Sequence, residues 1–500
     1  MDLRLVPAAL TAWMATAAGI AWGLGPTIAA FCVAVGVIWA VVARLLGDRH
    51  PVLRAARIGV LGVALVGCSF GSAAGLRSDA VGHHPVTQRF GATAWVTVVP
   101  GEGPRMAGGG RLIFRGELAR VGDDEMTGAV TVFASGPDFG RLIPGQSARF
   151  RARVSRPSRH DLTVAVLTAT GRPTVGSAPL VQRLAQSLRD GFAAAGAAVL
   201  PADQAAMLPG LVLGDTSAVP ATTIAEFRIA GLTHLMAVSG ANVSIVCGAL
   251  LLCARLIGPR PAVVLAALGL AAFVIVVQPG ASVLRAAVMA SIGLLAVLSS
   301  RRRQAVPALA ATVIALMMIT PQLAVDAGFG LSVSATAALV VLAPIWSQRL
   351  VARGWPKAAA DALCIALAAQ WATAPLIAAI SGRLSLVSII ANLFVAPVIP
   401  PITLLGTAAA TLTPLWPGGA GLLIRFTGPL LWWLLRAAHL AAALPGAAIT
   451  VPDGFAGLGI VCCCSVAAVL LWPRRWFRQA SAAAVLVALA WSVSAIVGGP

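Results

Sequence analysis

The sequence predicts a polytopic α-helical membrane protein of about 11–13 spans with a small all-β domain outside the membrane. Three observations predict it. Of the 500 residues, 59% are hydrophobic and only 11% charged, against about 25% charged in soluble domains. Apolar stretches close to the length of a spanning helix recur along the chain. Residues 77–180 interrupt them with short runs in which apolar and polar residues alternate. Disorder is excluded, because disordered chains are poor in apolar residues. A soluble globular enzyme is excluded by the amount of apolar surface that water would have to tolerate.

Candidate spans lie near 7–24, 27–43 and 58–76, and then near 235–257, 262–278, 281–299, 304–320, 328–347, 358–380, 386–412, 421–444, 455–472 and 479–497. The first has only Arg4 before it and could pass for a signal peptide. A second span follows at once, so it is taken as a retained helix. Basic clusters fall at alternate junctions, except that the junction between spans ten and eleven has only Arg425: Arg44, Arg49, Arg54 and Arg57; Arg255 and Arg260; Arg301, Arg302 and Arg303; Arg349, Arg353 and Lys357; Arg474, Arg475 and Arg478. The positive-inside rule then puts the N-terminus and every cluster in the cytoplasm, and the polar domain outside. Most of the formal net charge of +19 sits in these clusters, so it records topology and is no evidence for nucleic acid. The eight cysteines show no CxxC and read as small apolar residues in helices.

The organisation expected is N-terminal transmembrane helices over 1–76, the β domain over 77–180, an interfacial amphipathic helix over 181–203, a transmembrane core over 204–475 and a C-terminal transmembrane helix over 476–500. Within the β domain, residues 94–98, 111–115, 129–133 and 148–154 alternate, and a final strand is expected from Leu162 to Leu167. Five short strands with Gly/Pro/Asp turns fit a small OB-like barrel. Arg149, Arg151 and Arg153 fall on one strand face, because side chains alternate with period two. They are candidates for contact with a nucleic-acid backbone, against the alternative of a solvated strand face. The aromatics Phe90, Trp95, Phe114, Phe133, Phe139 and Phe150 are expected mostly in the core. In the helix after the domain, Val181, Leu184, Leu188 and Phe192 share a face with Arg183, Arg189 and Asp190 opposite, the pattern of a helix lying in the membrane interface.

The core carries an ordered set of motifs. Gly214-Asp215-Thr216-Ser217 comes first, then Phe227-Arg228-Ile229-Ala230-Gly231-Leu232-Thr233-His234-Leu235-Met236-Ala237-Val238-Ser239-Gly240. Ser282-Val283-Leu284-Arg285-Ala286, Asp326-Ala327-Gly328-Phe329-Gly330-Leu331-Ser332 and Asn392-Leu393-Phe394-Val395-Ala396-Pro397 follow. In this order they resemble the ComEC competence family of inner-membrane DNA uptake channels, whose patterns are GD-[RKT]-S, F-[RK]-x-[TA]-G-[LI]-x-H-[LI]-[LM]-A-[VI]-S-G, P-S-x-x-R-A, D-P-G-F-Q-L-S and N-L-x-x-x-P. Departures are Ala241-Asn242 where Leu-His is frequent, and Ala327 and Gly330 in the fourth motif. No cysteine is present for the disulfide that some relatives carry in the outer domain. The metal motif H-x-H-x-D-H of the metallo-β-lactamase-like domain of long members is missing from this sequence, so the resemblance is to a short form.

The resemblance implies passage of single-stranded DNA across the cytoplasmic membrane during natural transformation. It also implies work alongside a DNA receptor, a cytoplasmic helicase-like ATPase and a separate nuclease. No P-loop is present, so energy comes from a partner or the proton gradient. Candidate path residues are Arg285, Arg228, His234, Ser239, Asn242, Asp215, Asp326, Gln370 and Asn392, since ionisable and polar groups at membrane depth default to function. Two readings of Arg285 stand: it meets a backbone phosphate, or it snorkels or pairs with Asp326 or Glu226. His234 and Ser239 fall on different helical faces with no local acid, against a catalytic triad. Gly231, Ser239, Gly240 and Asn242 suggest a broken helix beside a cavity, and Pro397, Pro400 and Pro401 break the span near 386–412. No catalytic activity, metal or cofactor is expected, and membrane lipids and DNA are the expected partners. The competing reading is a polytopic enzyme or flippase acting on a lipid-linked substrate.

Overall fold

The computed structural model describes residues 2–471 apart from 47–50, 107–109, 239, 254–257, 279 and 299–303, together with 474, 475 and 479. Ser239, the basic residues Arg49, Arg255, Arg301, Arg302, Arg303 and Arg478, and all but Gln479 of the expected helix near 479–497 lie outside the described residues. The chain forms two compact units, one of residues 1–190 and 247–329, the other of residues 191–246 and 330–500.

The first unit begins with helices α1 (Val6–Trp22), α2 (Gly25–Leu46) and α3 (Pro51–Gly82). Gly67, Gly71 and Gly75 recur every fourth residue on α3, the small-residue spacing that lets membrane helices approach closely. A Cβ on Gly25 of α2 would come within 2.5 Å of the Gly71 carbonyl oxygen and 2.6 Å of the Gly75 nitrogen, so the two backbones touch. With 32 residues, α3 is about 48 Å long and outruns the hydrocarbon core of about 30 Å. The expected boundary at residue 76/77 therefore falls inside the helix.

Beyond it, β1 (Thr93–Pro100), β2 (Arg105–Met106), β3 (Arg111–Val121), β4 (Asp124–Ser135), β5 (Ala148–Ser155) and β6 (Ala165–Val175) form one sheet in the order β1-β5-β6-β4-β3-β2, and β1 also pairs with β3. That last pairing closes a five-stranded barrel, with β2 appended to β3. All pairs are antiparallel except β4–β6, and the one-turn helix α4 (Pro137–Gly140) lies between β4 and β5. Val96, Val98, Phe114, Leu118, Phe150 and Leu167 are among the side chains that fill the interior. Two expectations need correction. The last strand starts at Ala165 and runs to Val175, because it keeps pairing with β5 well beyond Leu167. Trp95 is 49% exposed: Ala94, Val96 and Val98 point inward, so Trp95 shares the outer face with Thr97.

After the barrel comes α5 (Leu180–Val199), with Val181 and Leu184 exposed and Phe192 fully buried, as suits a helix resting in the membrane interface. The unit is completed by α9 (Pro259–Val277), α10 (Ala281–Leu298) and α11 (Ala305–Ile319). Barrel and α5 are tied to the membrane helices at one end. The Gly103 N–H donates to Gln278 Oε1 at 3.1 Å, Arg189 donates to the Val276 carbonyl at 3.0 Å, and Arg115 Nη1 lies 3.7 Å from Asp326 Oδ2.

The rest of the helical core comprises α6 (Ala202–Leu213), α7 (Ala221–Ile229), α8 (Gly240–Cys253), α12 (Ala327–Val351), α13 (Lys357–Ser381), α14 (Ser388–Val395), α15 (Ile399–Leu412), α16 (Pro417–Ala443) and α17 (Gly454–Leu471). Short strands β7 (Arg383–Ser385) and β8 (Ala448–Thr450) pair, which puts the C-terminal ends of α13 and α16 on the same side. Among the described residues six helices are long and apolar enough to cross a membrane, or seven if the pair α14–α15, bent by 53°, counts as one span. The other expected spans that fall on described residues appear as shorter apolar helices, α1, α8, α10, α11 and α17. The chain is thus a multi-pass helical membrane protein carrying a small β-barrel.

Candidate functional site

The motif-bearing loop of the second unit is built by glycine. Gly214 ends α6 in the left-handed conformation (φ +74°), with its N–H returned to Gly210. Asp215 Oδ1 then accepts from the Ser217 N–H (3.1 Å) and hydroxyl (2.6 Å), an Asx-type turn that opens the way to α7. Gly231 ends α7 in the same way (φ +72°), and the Leu232 N–H reaches back to the Phe227 carbonyl at 2.7 Å, a Schellman-type closure. Phe227 is fully buried and anchors the helix, while Arg228 is exposed at its last turn.

A single 3-10 turn, Thr233–Leu235, separates this point from α8, so the expected span from 235 begins only at Gly240. His234 lies on that turn, between α7 and α8, and is an exposed residue. Desolvation by surrounding protein still holds its pKa below the usual imidazole value, against an opposing hydrogen bond with the Gly231 backbone. Asn242 is buried in the first turn of α8 and donates to the Leu211 carbonyl at 3.0 Å. It lines a water-sized cavity of about 10 Å³ with Leu211, Leu235, Ile399, Ile402 and Thr403.

Gly231 also has a close neighbour. A Cβ there would lie 2.5 Å from Ser388 Cβ and 2.6 Å from its Oγ. Ser388 opens α14 and donates to Gln370 Oε1 at 3.0 Å, while Asn392 donates to the Ser388 carbonyl (2.8 Å) and hydroxyl (3.3 Å). Gln370 Nε2 reaches the Ser385 carbonyl at 3.4 Å. Gln370, fourteen residues into the 25-residue α13, and Asn392 are therefore joined through Ser388, which the sequence reading missed. The Ser385 hydroxyl is buried with no hydrogen-bond partner among the described residues. Where the α14–α15 break frees a carbonyl, at Phe394, the Trp433 indole N–H of α16 fills it at 2.8 Å; irregular backbone at membrane depth needs such a donor.

Further along α16, His439 Nδ1 lies 2.8 Å from Glu226 Oε1 on α7. Spacing gives no hint of this pair, 213 residues apart in sequence.

The first unit holds the remaining candidates. Arg285, on α10, is 6% exposed, and its Nη1 lies 3.4 Å from Met289 Sδ. Asp326 caps α12, its Oδ1 accepting from the Phe329 N–H at 2.9 Å while Oδ2 faces Arg115. Phe329 is fully buried and packs edge-on to Trp13 of α1, with centroids 5.4 Å apart. Asp326 is thus a helix cap facing Arg115, and Glu226 lies against His439.

On the barrel, Arg149, Arg151 and Arg153 all point outward along β5. The β1–β5 register sets Arg151 beside Trp95, with Arg149 beside Thr97 and Arg153 beside Thr93. The Arg149 guanidinium lies over the Trp95 ring, 5.6 Å from its centroid, within the range of a cation–π contact.

No solved structure matches the chain. ComE operon protein 3 of Bacillus subtilis (strain 168) is 27% identical over 216 residues, which cover 43% of this chain and 27% of that protein. The chain thus spans about a quarter of the length of the curated relative it matches. The profile described as Competence protein matches residues 211–476, more than half of the chain and all the motifs from Gly214 to Asn392, and the chain belongs to that family.

Proposed function

We propose that the protein conducts one strand of DNA inward across the cytoplasmic membrane during DNA uptake, with the barrel as an extracytoplasmic DNA-contacting domain. The observation that carries this, given the family, is the outer face of β5 and β1, where three arginines flank an exposed tryptophan. Backbone phosphates and unstacked bases are what such a face takes: guanidinium groups for the former, an indole for the latter. The barrel's strand order supports an OB assignment. Numbering only the five barrel strands, it runs first-second-third-fifth-fourth and back to the first, with a parallel third–fifth pair and a helix between third and fourth. OB barrels usually bind on strands two and three. In this chain those strands mix Glu117, Asp124 and Glu125 with their arginines, which favours the all-basic fourth strand.

Orientation follows from the placing of charge. Within the first unit the barrel sits at helix ends opposite those bearing Arg44 and Arg260, which supports a barrel outside the membrane by the positive-inside rule. The membrane residues proposed for the path are Arg285 and Asp326 in one unit and Asp215, Arg228, His234, Ser239, Asn242, Gln370 and Asn392 in the other. They are mostly uncharged donors and acceptors, which suits conduction, since continuous arginine would hold phosphates too tightly to release them. A DNA receptor, a helicase-like ATPase and a separate nuclease are the proposed partners, and the chain itself does no covalent chemistry.

The test is entry of labelled DNA into the cytoplasm of competent cells with and without the protein. Loss of entry, with surface-bound DNA retained, is the expected result. Unchanged entry in cells shown to be competent overturns the channel. A defect confined to a lipid-linked product would establish the flippase reading instead.

A further inference from the structure

Helices α12 and α13 meet in a tight turn at one membrane boundary. Beside the turn opens a cavity of about 520 Å³ lined by Pro344, Ser347, Gln348, Val351, Ala352, Lys357 and Asp361. Its walls carry charges of both signs. Lys357, the only lysine in the chain, is the first residue of α13, and with Pro356 as N-cap the N–H groups of the first turn have no intrahelical acceptor. That corner is doubly cationic, from the ammonium and from the helix N-terminus. Asp361 lies one turn further on, about 5–6 Å away at Cβ, and accepts a short hydrogen bond from the buried Ser347 hydroxyl. That bond fixes the carboxylate at the cavity wall. Among the described residues Lys357 makes no ion pair, with Asp361 or with any other acid. Of the remaining lining, Pro344, Val351 and Ala352 are apolar and Gln348 is polar. Exposed Trp355 in the connecting turn is the kind of residue that sits at headgroup level.

We propose that this cavity binds the headgroup of a phospholipid bearing a primary ammonium, phosphatidylethanolamine. The phosphate is held between Lys357 and the first-turn N–H groups of α13, and the ammonium is held by Asp361. A purely anionic headgroup would meet the Asp361 carboxylate without a counter-charge. A choline headgroup carries an ammonium that cannot donate a hydrogen bond. Of the ethanolamine, choline and glycerol headgroups, only phosphoethanolamine presents a phosphate to the basic corner and a hydrogen-bonding ammonium to the acidic wall, at the spacing of one helical turn.

The experiment is native mass spectrometry of the full chain in neutral detergent, with phosphatidylethanolamine, phosphatidylcholine or phosphatidylglycerol added at equal concentration. The wild type is expected to retain phosphatidylethanolamine at least about fivefold more than phosphatidylcholine, as one charge-assisted hydrogen bond allows. Asp361→Asn abolishes that preference, whereas Asp361→Glu keeps it and controls for folding. Lys357→Gln weakens retention of all three lipids, and Lys357→Arg restores it. Equal retention of the three lipids by the wild type overturns the proposal. So does a preference that survives Asp361→Asn, or binding of free phosphoethanolamine without retention of the lipid.

Discussion

Arg149 lies over the indole of Trp95, 5.6 Å from the ring centroid, on the only strand pair of the barrel that presents three arginines in register with an exposed aromatic. Trp95 keeps 49% of its surface exposed beside that guanidinium. If a strand of DNA uses this face, the two residue types contribute differently. Trp95→Ala should weaken binding of an oligothymidylate to the full-length protein by about 1–3 kcal/mol, the worth of one stacked base. Its effect should persist at high salt. Arg151→Gln should instead lower the slope of log affinity against log salt by about one, the loss of one phosphate contact. Fluorescence anisotropy across a salt series separates them, and two variants with unchanged slope and affinity would remove the barrel from the DNA path.

Gly231 is required twice over, by its positive φ and by Ser388. The left-handed conformation alone costs a residue with a Cβ about 1–2 kcal/mol, and Asn tolerates it better than Ala. Ser388 reverses that order, because any side chain at 231 collides with Ser388 Cβ and Oγ, and Asn is the larger. Both Gly231→Ala and Gly231→Asn should therefore lower the midpoint of unfolding in mixed micelles, and Asn should do no better than Ala. An Asn variant clearly more stable than the Ala variant would mean that the close approach to Ser388 carries no energetic weight.

Much of this fold is legible in the residues, for local reasons. The alternation of basic junctions is a property of short loops, so it is visible without tertiary information. Gly231 reads as part of a broken helix, and α7 does end there, with Gly231 at positive φ. Trp95 also belongs to this class: the phase Ala94, Val96, Val98 inward puts Trp95 outward with Thr97, and only a general preference of aromatics for cores obscures it. Other features have no local trace. Glu226 and His439 meet across 213 residues, and Ser388 gains its role from lying under Gly231 and beside Gln370. The 32-residue length of α3 hides because Arg77 and Asp79, polar enough to signal a domain boundary, sit on the last turns of a helix that has already left the hydrocarbon.

Asp326 acts as a helix cap before it acts as a charge. Oδ1 satisfies the Phe329 N–H at 2.9 Å, and Gly328 keeps the space clear, since a Cβ there would lie 3.1 Å from that oxygen. The 3.7 Å pair with Arg115, whose side chain is 56% exposed, is worth at most about 1 kcal/mol. Asparagine caps as well as aspartate, so Asp326→Asn should unfold close to wild type, while Asp326→Ala loses about 0.5–2 kcal/mol. Equal losses in the two variants would assign the stability to the ion pair instead.

Arg285 presents the sharpest choice between structure and transport. It is 6% exposed on an apolar helix, where an ionised group is costly to keep without a purpose. Met289 Sδ lies 3.4 Å from Nη1, a soft, polarizable neighbour. If the positive charge serves a passing phosphate, Arg285→Lys should keep most DNA entry. Arg285→Met, close in volume but neutral, should fold, reach the membrane and lower entry by at least tenfold, about 1.4 kcal/mol. If the arginine is only packing, the order reverses: methionine is the better guest among apolar neighbours, and lysine, with a more strongly hydrated charge, the worse one. Uptake of labelled DNA alongside membrane abundance of each variant distinguishes the two, and full entry with both variants ends the case for Arg285 on the path.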